Sequence, residues 1–244
     1  MRLQELFETT EEDRALISLS SAIYNTIRTK DGDLGTIGEL YNTSIPALSK
    51  VKIAVESGDQ FAEHVKDPND PMDYSGLEVY AFWDEDTHSI VFNKDLINTE
   101  RMKTTVTHEL RHALDELKSN SYPGGATRYF TPKKKEHRKD DPYSTTQYRA
   151  RPAEINARFT EILHKLSDLV PKRYAAVEPH LLRRQLMHDF NNLLVKYEIA
   201  DLFPEKTQSK DYKRLVKRAY DFIQKEMSHI ESQPGTTKRA SGNW

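Results

Sequence analysis

This 244-residue chain contains no cysteine. Without thiols it can form neither a disulfide nor a thiolate metal site, so any bound metal must rest on histidine and carboxylate side chains. It also lacks an apolar run of the roughly 18 residues that a membrane span needs. Its start, MRLQELFETTEEDR, lacks the apolar core of a secretory signal. We therefore expect a globular protein that is neither secreted nor anchored in a membrane.

The chain also lacks a large net charge. It has 36 lysines and arginines and 38 acidic residues, which gives a net charge of −2. A chain so close to neutrality has no overall electrostatic attraction to nucleic acid or to anionic membranes. We expect neither as a partner. The basic run PKKKEHRK, residues 132–139, is most simply a solvated loop, with binding of an acidic substrate or partner as the alternative.

Hydrophobic periodicity predicts an α+β fold. Helical spacing of apolar residues indicates helices at 3–28, 37–48, 100–118, from Pro152 onward, at 180–202 and at 210–230. Strands are predicted at 51–55, 79–83 and 89–93, the last two forming a hairpin around residues 84–87. The glycine-rich segment KDGDLGTIG, residues 30–38, reads as a break, and the polar stretch 66–76 as a loop.

These elements predict a single domain over residues 1–231. It comprises a helical N-terminal part at 1–50, a sheet and long helix at 51–118, a long loop at 119–150 and a helical part at 151–231. Residues 232–244 are polar and are expected to form a flexible tail. A loop of that length inside a compact domain is uncommon and tends to be functional or disordered.

The helix at 100–118 carries the sequence His108-Glu109-Leu110-Arg111-His112, which matches HExxH. Residues four apart stand one above the other on a helix, so the two imidazoles can reach one ion without backbone distortion. Glu109 projects about 100° round the helix from His108, where it could accept a proton from a metal-activated water. The competing interpretation is a charged helix that carries two histidines by chance. An apolar face for packing on the sheet is predicted from Val106, Leu110, Ala113, Leu114 and Leu117.

Together with the two strands before it, this segment resembles the zincin metallopeptidases, in which a small twisted sheet precedes an HExxH helix. The longer zincin pattern has Val or Thr three residues before the first histidine and a hydrophobic residue two after the second, which Thr105 and Leu114 satisfy. The residue before the second histidine is usually uncharged, and here it is Arg111. The resemblance covers residues 79–154 and implies Zn²⁺ bound by His108 and His112, with Glu109 as the catalytic glutamate.

Zincins differ in their third ligand. A histidine six residues after the second one is excluded, because that position is Lys118. The gluzincin version takes a glutamate from a later helix, and Glu154 in RPAEINAR is the predicted ligand, with Glu161 and Asp115 as alternatives. The helix dipole alone also favours a glutamate in a first turn. Tyr148 is predicted to stabilise a developing oxyanion.

The resemblance implies a zinc-dependent metallopeptidase that cleaves a protein or peptide substrate. The metal would polarise the scissile carbonyl, and Glu109 would take and then deliver the proton. We expect the site between the helix at 101–118 and the helix that opens at Pro152. A second interpretation, from a different class, is a structural or assembly component, for example of a viral particle, that keeps a zincin fold with little or no activity. The expected location is accordingly cytoplasmic or virion-associated.

Overall fold

The computed structural model describes residues 10–65, 78–120, 152–197, 199–200 and 210–232. Over these ranges the protein is α+β and mostly helical, with seven α-helices and one mixed four-stranded sheet, so the α+β part of the fold prediction is confirmed. None of the helices in these ranges is long and apolar enough to cross a membrane. The predicted loop at 66–76, the basic run and the C-terminal tail from residue 233 lie outside the described residues.

The helices and strands are numbered in chain order. Helices α1 to α7 span Thr10–Ile27, Ile37–Leu40, Gly58–Val65, Glu100–Asn120, Pro152–Ala176, Pro179–Lys196 and Lys210–Ser232. Strands β1 to β4 span Gly32–Thr36, Lys52–Glu56, Ala81–Asp84 and Ser89–Asn93. The sheet order is β1-β2-β4-β3, with β2 parallel to β4 and the other two pairs antiparallel.

The chain divides into two compact units. One consists of Arg14–Thr160, and the other consists of Met1–Asp13 together with Glu161–Trp244. The boundaries between them fall within α1 and α5. The sheet, helix α4 and the first turns of α5 therefore all belong to the Arg14–Thr160 unit.

The three predicted strands are present as β2, β3 and β4, and the predicted hairpin is confirmed by the antiparallel pairing of β3 with β4. Strand β1 lies where the sequence predicts a break. Gly32 and Gly35 have φ values of +80° and +94°, and the register with β2 shifts between Asp33 and Gly35. Glycines with positive φ are typical of turns. Here the exposed backbone of β2 supplies the pairing that makes the segment a strand.

Two helical predictions are corrected by the structure. The helix predicted at 37–48 is broken into α2, which ends at Leu40 before an extended Tyr41, and a 3₁₀ turn at Pro46–Lys50. Pro46 also keeps Ile45 out of the α conformation, so α2 could not continue through this position. Helix α6 ends at Lys196 rather than near residue 202. Helix α3 was not predicted, because it is short and owes its place to a tertiary contact, with the ring of Phe61 5.4 Å from that of Phe82.

Helix α4 lies on the sheet through the apolar face that its sequence predicts. Val106, Leu110, Ala113 and Leu114 are fully buried, and Leu117 packs against the same core. The sheet and α1 contribute the opposite side of this core with Leu16, Ile23, Ile27, Ile53, Val55, Ile90 and Phe92. Two polar contacts also hold the helix: Ser20 Oγ lies 2.6 Å from Thr107 Oγ1, and Trp83 Nε1 donates to Glu116 Oε2 at 2.7 Å.

The second unit is built mainly from helices. Its buried apolar side chains come from α5, α6 and α7 and include Ile162, Leu166, Val170, Leu186, Phe190, Phe222 and Ile223. Arg218 on α7 pairs with Asp13 through both carboxylate oxygens, with Nε donating to Oδ2 at 2.8 Å. Asp13 and Arg218 are both buried, and a buried charge is tolerated only when it is paired in this way.

Leu110 lies inside the HExxH sequence, yet its side chain serves the core. We expect Leu110→Ala to lower the free energy of unfolding by about 2–5 kcal/mol, because it removes buried methyl groups and leaves a cavity under α4. Leu110→Met, which conserves volume, should cost less than about 1.5 kcal/mol. Urea denaturation of both variants measures the difference. Equal stability of the alanine variant and the wild type would contradict the packing described here.

Candidate metal centre

Three potential metal ligands meet where α4 faces the first turn of α5. His108 and His112 stand one turn apart on α4, and Glu154 lies in the first turn of α5. One ligand atom from each lies within 4.8 Å of the other two. Within the part of the chain that the structure describes, no other group of histidine and acidic side chains has this geometry. The structure thus brings together all three residues that the sequence proposes as ligands.

The three ligand atoms are close enough together to contact one ion. The two Nε2 atoms are 3.0 Å apart, and Glu154 Oε1 lies 3.6 Å from His108 Nε2 and 3.4 Å from His112 Nε2. A triangle with these sides has a circumradius of about 1.9 Å. Zinc–nitrogen and zinc–oxygen bonds are about 2.0–2.2 Å long. The spacing of the three atoms therefore fits zinc, and His108, His112 and Glu154 would hold the ion.

Glu154 is ionised despite its burial. Its side chain is 3% exposed, and burial by itself raises the pKa of a carboxyl group because the charged form loses hydration. Hydrogen bonds with His108 and His112, and their electrostatic attraction, act in the opposite direction and hold the pKa of Glu154 well below its usual range. A carboxylate that stays charged in a buried position is suited to bind a cation.

The second oxygen of Glu154 also has a partner. Arg158 Nε lies 3.4 Å from Oε2, one helical turn further along α5. This contact leaves Oε1 directed at the imidazoles. Arg158 was not proposed from the sequence, although a spacing of four residues from an acidic side chain is the signal that would have identified it. His108 and His112 are 16% and 21% exposed, so the site is open to solvent on the imidazole side.

Glu109 follows His108 on α4 and is 8% exposed. It lies on the helix between a candidate ligand, His108, and the edge of the buried apolar face, and the HExxH spacing predicts its place beside that ligand. A side chain there is largely shielded from bulk water. Its role as a general base stays a prediction.

The other predicted site residues fall into two groups. Asp115 and Glu161, the alternative third ligands, are not members of the three-residue group. Asp115 instead accepts a hydrogen bond from Asn156 Nδ2 at 2.8 Å and lies 3.5 Å from the guanidinium of Arg111. Tyr148, the predicted oxyanion residue, lies outside the described residues.

Comparisons with known proteins identify no relative. No protein-family model, curated protein or solved structure matches this chain. The resemblance to zincins thus rests on the residues and geometry described above.

Proposed function

We propose that this protein is a gluzincin-like, zinc-dependent metallopeptidase that hydrolyses peptide bonds. The observation that carries the proposal is the convergence of His108 Nε2, His112 Nε2 and Glu154 Oε1 at distances of 3.0–3.6 Å. These three side chains would hold the metal. Catalytic zinc sites typically use three protein ligands and leave the fourth position open.

The donor chemistry supports zinc. Two neutral imidazoles and one carboxylate form the ligand set of a common class of zinc hydrolases, and the chain has no cysteine that could offer an alternative set. When bound, zinc supplies Lewis-acid chemistry, lowering the pKa of water and polarising a carbonyl. Two histidines and a carboxylate also suit non-haem iron. Glu109, directly after the first histidine, favours hydrolysis, because oxygen chemistry at iron has no need of a base at that position.

Glu109 would carry the proton through the reaction. Its carboxylate accepts a proton from the attacking water, whose oxygen forms a bond to the carbonyl carbon of the substrate. As the carbon–nitrogen bond breaks, the same carboxyl group delivers that proton to the leaving amine. The charge of Glu109 is restored at the end of the cycle, so no further proton donor is needed.

The proposal is tested by metal analysis and peptide cleavage on the purified full chain. We expect about one zinc per chain, together with cleavage of a broad peptide library that stops on chelation and returns when zinc is added. Absence of any bound divalent ion would overturn the proposal. Iron without peptide cleavage would replace hydrolysis by oxidative chemistry, and zinc without cleavage would leave a structural metal site.

A further inference from the structure

Arg111 occupies the position before His112 where the zincin pattern usually has an uncharged residue, and its side chain is fully buried. Burying a guanidinium is costly unless its charge and its N–H groups are satisfied. A lysine or glutamine on the solvent side of a helix would keep its hydration and would not carry this desolvation cost. The location of Arg111 therefore calls for a role that requires an interior cation beside the candidate metal ligands.

The contacts of Arg111 join α4 to α5. Its Nε donates to Thr160 Oγ1 at 3.1 Å, and its Nη1 lies 3.5 Å from Asp115 Oδ1. Asp115 Oδ2 in turn accepts from Asn156 Nδ2 at 2.8 Å. Thr160 Oγ1 donates to the backbone carbonyl of Asn156 at 2.9 Å, which completes a closed polar network between the two helices.

This network lies next to the candidate ligands on α4 and follows the third candidate ligand along α5. On α4, Arg111 and Asp115 share an arc of about 100° with His108 and His112, so network and candidate ligands face the same way. On α5, Asn156 and Thr160 follow Glu154 in the first turns. The network spans 49 residues of sequence between Arg111 and Thr160. Chain connectivity over such a distance cannot define where Glu154 lies.

We propose that Arg111 is a positioning residue for the metal site: together with Asp115 it fixes the start of α5 against α4 and so holds the Glu154 carboxylate beside the two imidazoles. The inference rests on the proposed function, because it concerns the same three ligands. Arg111 acts through Glu154 and touches neither metal nor substrate. A planar guanidinium suits this task better than a lysine, since its donors are fixed in direction and can serve two acceptors on different helices.

Two variants of the full chain weaken the network at different points. Arg111→Met removes the cation, and Thr160→Val removes only the hydroxyl that accepts from Arg111 Nε. Ser20→Ala is the matched control, because it removes a buried hydrogen bond between α1 and Thr107 of α4 from the α1 side and leaves the side chains of α4 and α5 unchanged. Glu154→Ala supplies the reference for a site without its third ligand.

Zinc affinity and the absorption spectrum of the Co²⁺-substituted protein are the measurements. We expect zinc affinity to fall about 10- to 100-fold in Arg111→Met, the range found when partners that orient a metal ligand are lost. Thr160→Val should show a smaller decrease, and Ser20→Ala should match the wild type. The cobalt spectrum reports the ligands around the ion, so Arg111→Met should shift it towards that of Glu154→Ala. A residue that merely stabilises the fold would leave this spectrum unchanged.

The outcomes separate this inference from the proposed function. A wild type that binds no zinc or cobalt overturns both. A wild type that binds zinc, with a folded Arg111→Met variant of unchanged affinity and spectrum, overturns the positioning role alone. If Arg111→Met shows no cooperative unfolding transition, Thr160→Val decides: wild-type affinity and spectrum in that variant would equally refute the inference.

Discussion

Glu109→Gln should retain zinc and lose peptide hydrolysis. The expected decrease in kcat/KM is about 10²- to 10⁴-fold, the usual contribution of a positioned general base. Glutamine has nearly the same size and shape as glutamate, so the largely buried side chain can be replaced without a cavity. Its amide cannot accept the proton of the attacking water. Zinc content and kcat/KM, measured on the same preparation, separate the loss of the base from the loss of the metal.

Glu116→Gln is the matched control for this experiment. Glu116 lies on the same helix, but its carboxylate accepts a hydrogen bond from Trp83 Nε1 on β3. An amide oxygen can accept the same hydrogen bond, so we expect near wild-type zinc content and activity. Turnover in Glu109→Gln close to that of the wild type would remove the proposed mechanism, whether or not zinc is bound.

His108→Ala and Glu154→Ala should both weaken zinc binding strongly. Each removes one of the three converging donors, and the loss of affinity should exceed the 10- to 100-fold decrease that follows when only a partner of a ligand is lost. Glu154→Ala is the more informative variant, because that residue lies on a different helix from the HExxH motif. Competition with a chromogenic zinc chelator measures the affinities. Hydrolysis should disappear in parallel.

Glu161→Ala provides the control for Glu154→Ala. It removes a glutamate from the same helix, α5, that does not belong to the three-residue group. We expect its zinc affinity to match that of the wild type. If Glu154→Ala keeps full affinity while His108→Ala loses it, the third ligand is another residue, and Glu161 and Asp115 become the candidates to test.

The local parts of this site are predictable because they depend on helix geometry alone. A spacing of four residues places His108 above His112 on any α-helix, and the apolar residues of α4 select the face that packs on the sheet. The hairpin of β3 and β4 is likewise predicted from strand-like segments separated by a turn. Strand β1 and helix α3 were missed because each depends on a partner remote in sequence, β2 in one case and Phe82 in the other.

The proposed role of Arg111 also could not be predicted from local sequence. From the sequence it is a charged residue that departs from a pattern, and charged residues on helices are usually exposed. Its burial against Thr160 becomes apparent only when α4 and α5 are placed together. Asn156 and Thr160 carry no sequence signal strong enough to distinguish them from ordinary helix residues.

The sequence by itself determined the class of the fold, the HExxH helix and the two faces of that helix, because these follow from periodicity within about twenty residues. It also proposed Glu154, but it left Glu161 and Asp115 as alternatives. Only the tertiary structure decided which carboxylate lies beside the imidazoles, because the packing of α5 on α4 sets that distance. Contacts between segments far apart in the chain, such as the one between Arg111 and Thr160, have no counterpart in local spacing.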